Sequence, residues 1–239
     1  MGSARRDTRG VKTYGQYCPI ARASEILAQR WTPIIVRDLL SGPTTYSKLA
    51  DGAPGLSRTL LTTRLRELQR IGLVETTPSP SGKGSLYRLT GAGEDLGDVL
   101  LAIGNWGERW LEVAPEHADP GFVLDSWCNR YLATDKLPQR RVVARFDFPD
   151  QPKRGSPLWF IFDGDKSEVC RKPPGFEEDL IVTAESVALA EWHLGRTEWV
   201  HALHQERIQV TGSRRLAKSL PTWNRRSNWI DAEHPPVHT

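Results

Sequence analysis

The sequence predicts an α+β protein in two parts, and three observations carry that reading. Through the first half, apolar residues recur at helical spacing, as in Leu61, Leu65 and Leu68, or Leu96, Val99, Leu100, Ile103, Trp106 and Trp110. Two short strand-like runs, residues 73–77 and 85–90, flank a Pro/Ser/Gly/Lys turn. Beyond a polar break at residues 114–119 the period becomes two, with Val142, Ala144, Phe146 and Phe148 alternating with Val143, Arg145 and Asp147. A chain of 239 residues lets each part bury its own core. The expected domains are 14–113 and 121–225.

Residues 1–12 carry Arg5, Arg6, Arg9 and Lys12 without periodicity and read as a mobile arm. From Pro19, the stripe Ile20, Ala23, Ile26 and Leu27 predicts a first helix. Trp31, Pro33, Ile34, Ile35, Leu39 and Leu40 form a second apolar segment, stopped by Ser41-Gly42-Pro43. Thr45 is placed to cap a short helix over 46–51, and Gly52-Ala53-Pro54-Gly55 is a turn. Ser57 caps a long helix that ends at Gly72. After the hairpin, Thr90 caps a helix reaching about Val113.

In the second part, residues 122–133 read as a helix with Val123, Trp127 and Tyr131 in one row. Residues 158–162 are apolar on both faces and predict a strand covered on both sides. Asp163-Gly164-Asp165 turns into a strand over 167–171, and 179–182 is a fourth. Thr183 is placed to cap a helix to His193, Gly195 breaks it, and Thr197 caps another to about His204. Residues 207–211 are strand-like, and 214–220 form a last helix before Pro221.

A short helix, a four-residue turn and a longer helix make a helix-turn-helix, whose second helix enters the major groove of DNA. On that helix Thr59, Thr63, Arg66 and Arg70 fall opposite the leucines, with Thr62 beside them. This face offers hydroxyls and guanidinium groups but no carboxylate. Between residues 14 and 91, ten basic residues stand against five acidic ones, within a net charge of only +3 for the whole chain. Lys83, between two glycines at the hairpin tip, is fit to reach a phosphate backbone. The competing reading is a merely solvated basic helix and an ordinary polar tip.

Other classes find less support. No apolar run is long enough to span a membrane and the N-terminus has no apolar signal segment, so a soluble cytoplasmic protein without a membrane partner is expected. Three widely spaced cysteines form neither a disulfide framework nor a zinc pattern, and His193, His201 and His204 find no partners to complete a tetrahedral site. The carboxylates Asp163, Asp165, Glu177, Glu178 and Asp179 lack a basic partner for acid/base work, and no phosphate-cradling glycine loop occurs. The expectation is a non-enzyme with no metal and no cofactor.

Several segments carry a resemblance: Cys18-Pro19, Arg30-Trp31, Ile34-Ile35, residues 37–42, Tyr46-Ser47-Lys48-Leu49, Pro54-Gly55-Leu56-Ser57, Leu65-Arg66-Glu67-Leu68, Gly72-Leu73-Val74 and Tyr87-Arg88-Leu89-Thr90 with Gly93. Collinear over about 14–110, they resemble the HxlR-type winged-helix regulators, more distantly related to the MarR type. The resemblance implies a mainly-α winged helix-turn-helix domain in a homodimeric bacterial transcription regulator. Members commonly have Phe where Tyr46 stands. Further on, Ile181-Val182-Thr183-Ala184, Leu194-Gly195-Arg196, Trp199 and residues 207–212 before Leu216 are similar to the sterol carrier protein type 2 family. That similarity implies a C-terminal α+β domain: a five-stranded sheet, helices over one face and a hydrophobic cavity for a lipid or other apolar small molecule.

The expected DNA contacts are Ser57, Arg58, Thr59, Thr62, Thr63, Arg66 and Lys83. The expected dimer seam comprises Ile26, Leu100, Ile103, Trp106 and Trp110, whose stripe is too apolar for a small domain to cover. Trp127, Phe146, Trp159, Trp192 and Trp199 are candidates to line the ligand cavity, with core filling as the alternative. The reading is a ligand-responsive homodimer on double-stranded DNA. One alternative is thiol sensing by Cys18, which the HxlR resemblance suggests and which Arg22 and a helix N-terminus would favour. Another is a lipid-binding or enzymatic protein that keeps a winged helix as a protein-interaction platform.

Overall fold

The computed structural model describes residues 13–53, 55–79, 84–151, 157–164 and 166–226. The arm at 1–12, Pro54, Lys83 and Asp165 lie outside them. Two compact units are present, one running to Gly104 and the other starting at Asn105.

The first unit begins with α1 (Pro19–Leu27), entered through Pro19 at its first position, and α2 (Thr32–Leu40). Helix α3 (Tyr46–Asp51) is capped by Thr45 Oγ1, which accepts from the Lys48 N–H at 3.3 Å. Helix α4 (Arg58–Arg70) is capped by Ser57 Oγ, which accepts from the Leu60 N–H at 3.3 Å. Its other end closes through left-handed Gly72: the Gly72 N–H reaches Gln69 O at 3.0 Å and the Leu73 N–H reaches Leu68 O at 2.9 Å. The chain thereby turns back into the hairpin β1 (Val74–Pro78) and β2 (Ser85–Leu89), with Glu75 opposite Arg88. Thr44 adds a bridge to Tyr87, with bonds of 3.0 and 2.8 Å, that ties the loop before α3 to the hairpin.

Ile35, Leu39, Leu49, Leu61, Leu65 and Leu68 fill the first core. The helix expected from Thr90 to Val113 is two elements, α5 (Gly91–Glu94) and α6 (Leu96–Trp110). The turn beginning at Thr90 carries two glycines, and a Cβ on Gly93 would meet Leu73 O at 2.3 Å, so this turn is pinned to the hairpin instead of continuing straight into α6. The division between the units falls inside α6.

In the second unit, Arg196 holds the last turn of α6. Its Nε donates to Glu108 Oε1 at 2.6 Å, and its Nη2 donates to Glu108 O at 3.1 Å and Leu111 O at 3.0 Å. Carbonyls that a helix end leaves unpaired are thus satisfied. Helix α7 (Pro120–Arg130) starts two residues before expected, because Asp119 Oδ1 accepts from the Phe122 N–H at 2.9 Å.

The sheet comprises β3 (Val142–Asp147), β4 (Leu158–Asp163), β5 (Lys166–Cys170), β6 (Leu180–Ala184) and β7 (Ile208–Gly212), in the order β5-β4-β3-β6-β7. Strands β3 and β6 are parallel and the other neighbours antiparallel. Helices α8 (Ser186–His193) and α9 (Trp199–His204) join β6 to β7, and α10 (Arg214–Ser219) leads into a 3₁₀ turn at Leu220–Trp223. Thr183 and Thr197 do not cap helices: Thr183 pairs with Gln209 in the sheet, and Glu185 and Glu198 occupy the cap positions. For Thr183, ladder pairing won over local capping propensity.

One face of the sheet, with Ala144, Phe146, Leu158, Phe160, Phe162 and Val182, packs in the main core of this unit. On the other face Val143, Trp159 and Ile161 are also buried, and Glu178 from the segment before β6 accepts from Trp159 Nε1 at 2.8 Å. Residues 158–162 are therefore enclosed on both sides, as their apolar run predicts.

Candidate functional sites

Helix α4 divides its charges by face. Arg64 is tied down: its Nη1 donates to Gln29 Oε1 and, at 2.6 Å, to Glu67 Oε2, with only 18% of the side chain exposed. Arg58, Arg66 and Arg70 are exposed and make no ion pair with other described residues. Exposed Thr59 and Thr63 share their side, and the Thr63 hydroxyl donates to Thr59 O at 3.0 Å. A surface guanidinium left without a carboxylate, three times on one short helix, suits a polyanion better than it suits folding.

Thr62 is placed differently from its neighbours. It is half-buried, its hydroxyl donates to Arg58 O at 3.0 Å, and it lies 3.1 Å from Tyr46 Oη. Tyr46 Oη itself donates to Arg58 O at 2.7 Å. Tyr46 therefore bolts α3 to the first turn of α4 and orients the helix-turn-helix. The sequence reading missed this role. Arg37 Nη2 donates to Gly52 O at 3.1 Å, fixing the turn between the two helices. On the hairpin, Arg88 pairs with Glu75 across the strands. Lys83 lies outside the described residues.

A helix-turn-helix with an exposed cationic second helix, followed by a two-stranded wing, defines a DNA-binding regulator module. Residues 26–115 match the HxlR-like helix-turn-helix family. The chain is 33% identical over 99 residues to the HTH-type transcriptional regulator sll1512 of Synechocystis sp., covering 41% of this chain and 73% of that protein. It is 32% identical over 133 residues to the HTH-type transcriptional regulator Rv3095 of Mycobacterium tuberculosis, covering 50% of this chain and 84% of that one. The solved reduced form of the transcriptional regulator YodB from Bacillus subtilis shares 27% identity, with a TM-score of 0.36, over 41% of this chain and 97% of that chain. The protein belongs to the HxlR-like helix-turn-helix family and is a transcription regulator. The family match ends at residue 115.

The seam candidates split in two. Ile26 and Leu100 are half-buried against the first core, whereas Ile103, Trp106 and Trp110 are 51%, 59% and 55% exposed. Val99 joins these three at helical spacing, making an open apolar face on α6.

Cys18 is half-buried at the N-cap of α1 and its side chain makes no capping bond. It lines a shallow depression of about 310 Å³ with Tyr14, Ile20 and Ser24. The Arg22 charge expected to assist it is instead engaged by Glu25, whose side chain is fully buried. Glu25 also accepts from Thr13 Oγ1 at 2.8 Å and the Tyr14 N–H at 2.9 Å. The Tyr14 hydrogen bond leads the effects that hold its carboxyl below the usual range.

Of the ligand candidates, the structure places Trp127, Phe146 and Trp192 in the core with no exposed surface. Trp127 meets Phe146, Phe160 and Trp192 edge-on, with centroids 6.2, 5.3 and 5.2 Å apart. Trp159 lies on the other sheet face. These four rings fill space that the cavity reading would leave open. Trp199 reaches an open groove, of about 530 Å³, between α9, β7 and α10. Behind this region His193 is buried; Asn224 Nδ2 lies 2.9 Å from its Nδ1 and Ser126 Oγ 3.3 Å from its Nε2. Asn224 Oδ1 accepts from the Arg226 N–H at 2.7 Å, which orients the amide so that Nδ2 faces the ring as a donor. Burial pushes the His193 pKa down to about 4.

Among the described residues no group of three or more His, Cys, Asp or Glu could hold a metal ion. No described helix is long and apolar enough to cross a membrane.

Proposed function

We propose that this regulator binds double-stranded DNA as a homodimer through α4 and the wing, and that an apolar small molecule or lipid bound by the second unit alters that binding. The observation that carries the reading is the set of exposed Arg58, Arg66 and Arg70, which make no ion pair with other described residues, beside Thr59 and Thr63, while buried-side Arg64 is paired. Arg66 reads a base edge, and Arg58 and Arg70 hold phosphates. Ser57 and Thr62 spend their hydroxyls on the helix start and present that turn to the backbone. The open face Val99, Ile103, Trp106 and Trp110 supports a two-fold seam, which sets the spacing of the reading helices.

The test is selection of duplexes from a randomised pool by the full-length protein, followed by Arg66→Ala. The expected loss is about 1–3 kcal/mol with relaxed preference at one position. Unchanged affinity and preference would refute this placement of Arg66. Sensing requires a ligand to bind one arrangement of the dimer better than the other. DNA affinity that ignores every apolar compound bound by the second unit would refute the coupling.

A second reading is supported by Cys18, half-buried beside an open depression at the start of α1. A thiol oxidised or alkylated there changes the packing of α1. DNA release by an electrophile that persists in Cys18→Ser would remove Cys18 as the switch.

A further inference from the structure

Helix α4 is anchored on both flanks, and the anchors frame its exposed face. On one flank Tyr46 Oη of α3 donates to Arg58 O at 2.7 Å and lies 3.1 Å from the Thr62 hydroxyl. On the other, Arg64 donates to Gln29 Oε1, and Gln29 Nε2 donates to Glu25 O at 3.0 Å. Thr62 and Arg64 are the chain neighbours of Thr63. At about 100° per residue, exposed Thr63 therefore points between the two anchors.

The Gln29 flank carries one cation that folding does not use. At the corner between α1 and α2, Arg30 is exposed and makes no ion pair with other described residues. Its guanidinium carbon lies 5.3 Å from the centre of the Trp31 ring. Trp31 in turn sits in the left-handed region at φ 77°, a conformation that a bulky side chain rarely adopts. The Thr32 N–H closes this corner on Gln29 O at 3.0 Å. The Trp31 ring packs against the first core, and a Cβ placed on left-handed Gly55 would stand 3.8 Å from it. Gln29 thus fixes the corner to the middle of α4, Trp31 fixes it to the turn before α4, and Arg30 stands between them. Glu67, the carboxylate beside Arg64 on this flank, is engaged by it at 2.6 Å.

We infer that Arg30, from outside the helix-turn-helix and the wing, holds a DNA phosphate on the strand opposite the one met by Arg58 and exposed Lys48 on the α3 side. The major groove is about 12 Å wide, and a helix with its side chains fills about 10–12 Å. A helix seated there with Thr63 toward the base edges turns its two flanks to the two phosphate strands. Helix α3 serves one strand, and the corner at Arg30 serves the other. The Trp31 ring holds the guanidinium in place before DNA arrives, so little side-chain freedom is lost on binding. From that position Arg30 reads no base and adds affinity to every sequence alike. This rests on the reading of α4 as the DNA-contacting helix and adds a contact beyond it.

Fluorescence anisotropy over a salt series tests it, with a duplex selected by the wild-type full-length protein and with an unrelated duplex. Arg30→Gln should make the slope of log affinity against log salt shallower by about 1 for each phosphate contact removed. It should weaken both duplexes by the same factor and leave the melting temperature unmoved. Arg30→Lys keeps the charge and should restore the slope, which separates a phosphate contact from lost packing on Trp31. Phosphate ethylation interference on the wild type needs no variant, and interfering phosphates are expected on both walls of the major groove at each half-site. Altered base preference in Arg66→Ala with an unchanged slope in Arg30→Gln overturns the inference and leaves α4 as the reading helix. A shallower slope in Arg30→Gln with Arg66→Ala indistinguishable from wild type overturns the base contact of Arg66 and leaves Arg30 on a phosphate. A slope lost equally in Arg30→Gln and Arg30→Lys, a relaxed preference in Arg30→Gln, or interference on one wall only overturns the inference. A wild-type protein that binds no duplex overturns both readings.

Discussion

The exposed face of α4 and the second unit treat arginine in opposite ways. On α4, Arg58, Arg66 and Arg70 stand exposed without a carboxylate partner among the described residues. In the second unit Arg140, Arg141, Arg145, Arg196, Arg207 and Arg226 each hold an acidic partner. Exposed pairs such as Arg141–Asp163 add little to stability, whereas the mostly buried Arg196–Glu108 pair fixes the end of α6. The exposed face of α4 keeps its charge for an outside polyanion. The second unit spends most of its charge on itself.

That contrast can be broken from the side of packing first. Trp127→Ala should cost about 3–5 kcal/mol, because three other rings lose their contact with it. Chemical denaturation should show the loss, and an undisturbed midpoint would mean that the rings leave room for a ligand after all.

His193 supplies a pH test of the same unit. Its pKa is lowered in the folded state from 6.5 to about 4, so the unfolded chain takes up the proton first. The associated stability is complete above pH 6.5 and falls as the pH drops toward 4. From pH 7.5 to 5 the loss is about 2 kcal/mol. His193→Gln should flatten that part of the profile, and a profile unchanged by the substitution would show that the imidazole is not buried in its neutral form.

Within α4, Arg66→Ala and Arg64→Ala should separate. The first is expected to lower DNA affinity by about 1–3 kcal/mol while leaving the melting temperature unmoved. The second removes a partner of Gln29 and Glu67 and should lower the melting temperature. Identical behaviour of the two variants would erase the distinction between faces. The smallest effect belongs to Tyr46→Phe, which loses the hydroxyl bond to Arg58 O and should cost about 1 kcal/mol of stability. DNA binding would weaken with it if that bond orients α4.

The order of elements was largely legible, because the periodicities change where the fold changes, and because Thr45, Ser57 and Gly72 carry their own local instructions. Thr183 and Thr197 misled, since a threonine that can cap a helix can equally extend a strand or loop, and the sheet decided for Thr183. On the DNA side, helical spacing alone separated Arg66 from the leucines. It could not show that Arg64 is consumed by Gln29, which lies far away in sequence. The tryptophans could not be sorted between core and cavity without knowing which rings meet.

The most direct measurement is the salt dependence of affinity for a selected duplex, comparing the wild-type full-length protein with the variant carrying Arg58→Gln, Arg66→Gln and Arg70→Gln. If these cations face DNA, the slope of log affinity against log salt should become shallower by about 1 for each phosphate contact removed, with folding unaffected. An unchanged slope and affinity in a folded variant would contradict the assignment of α4 as the reading helix.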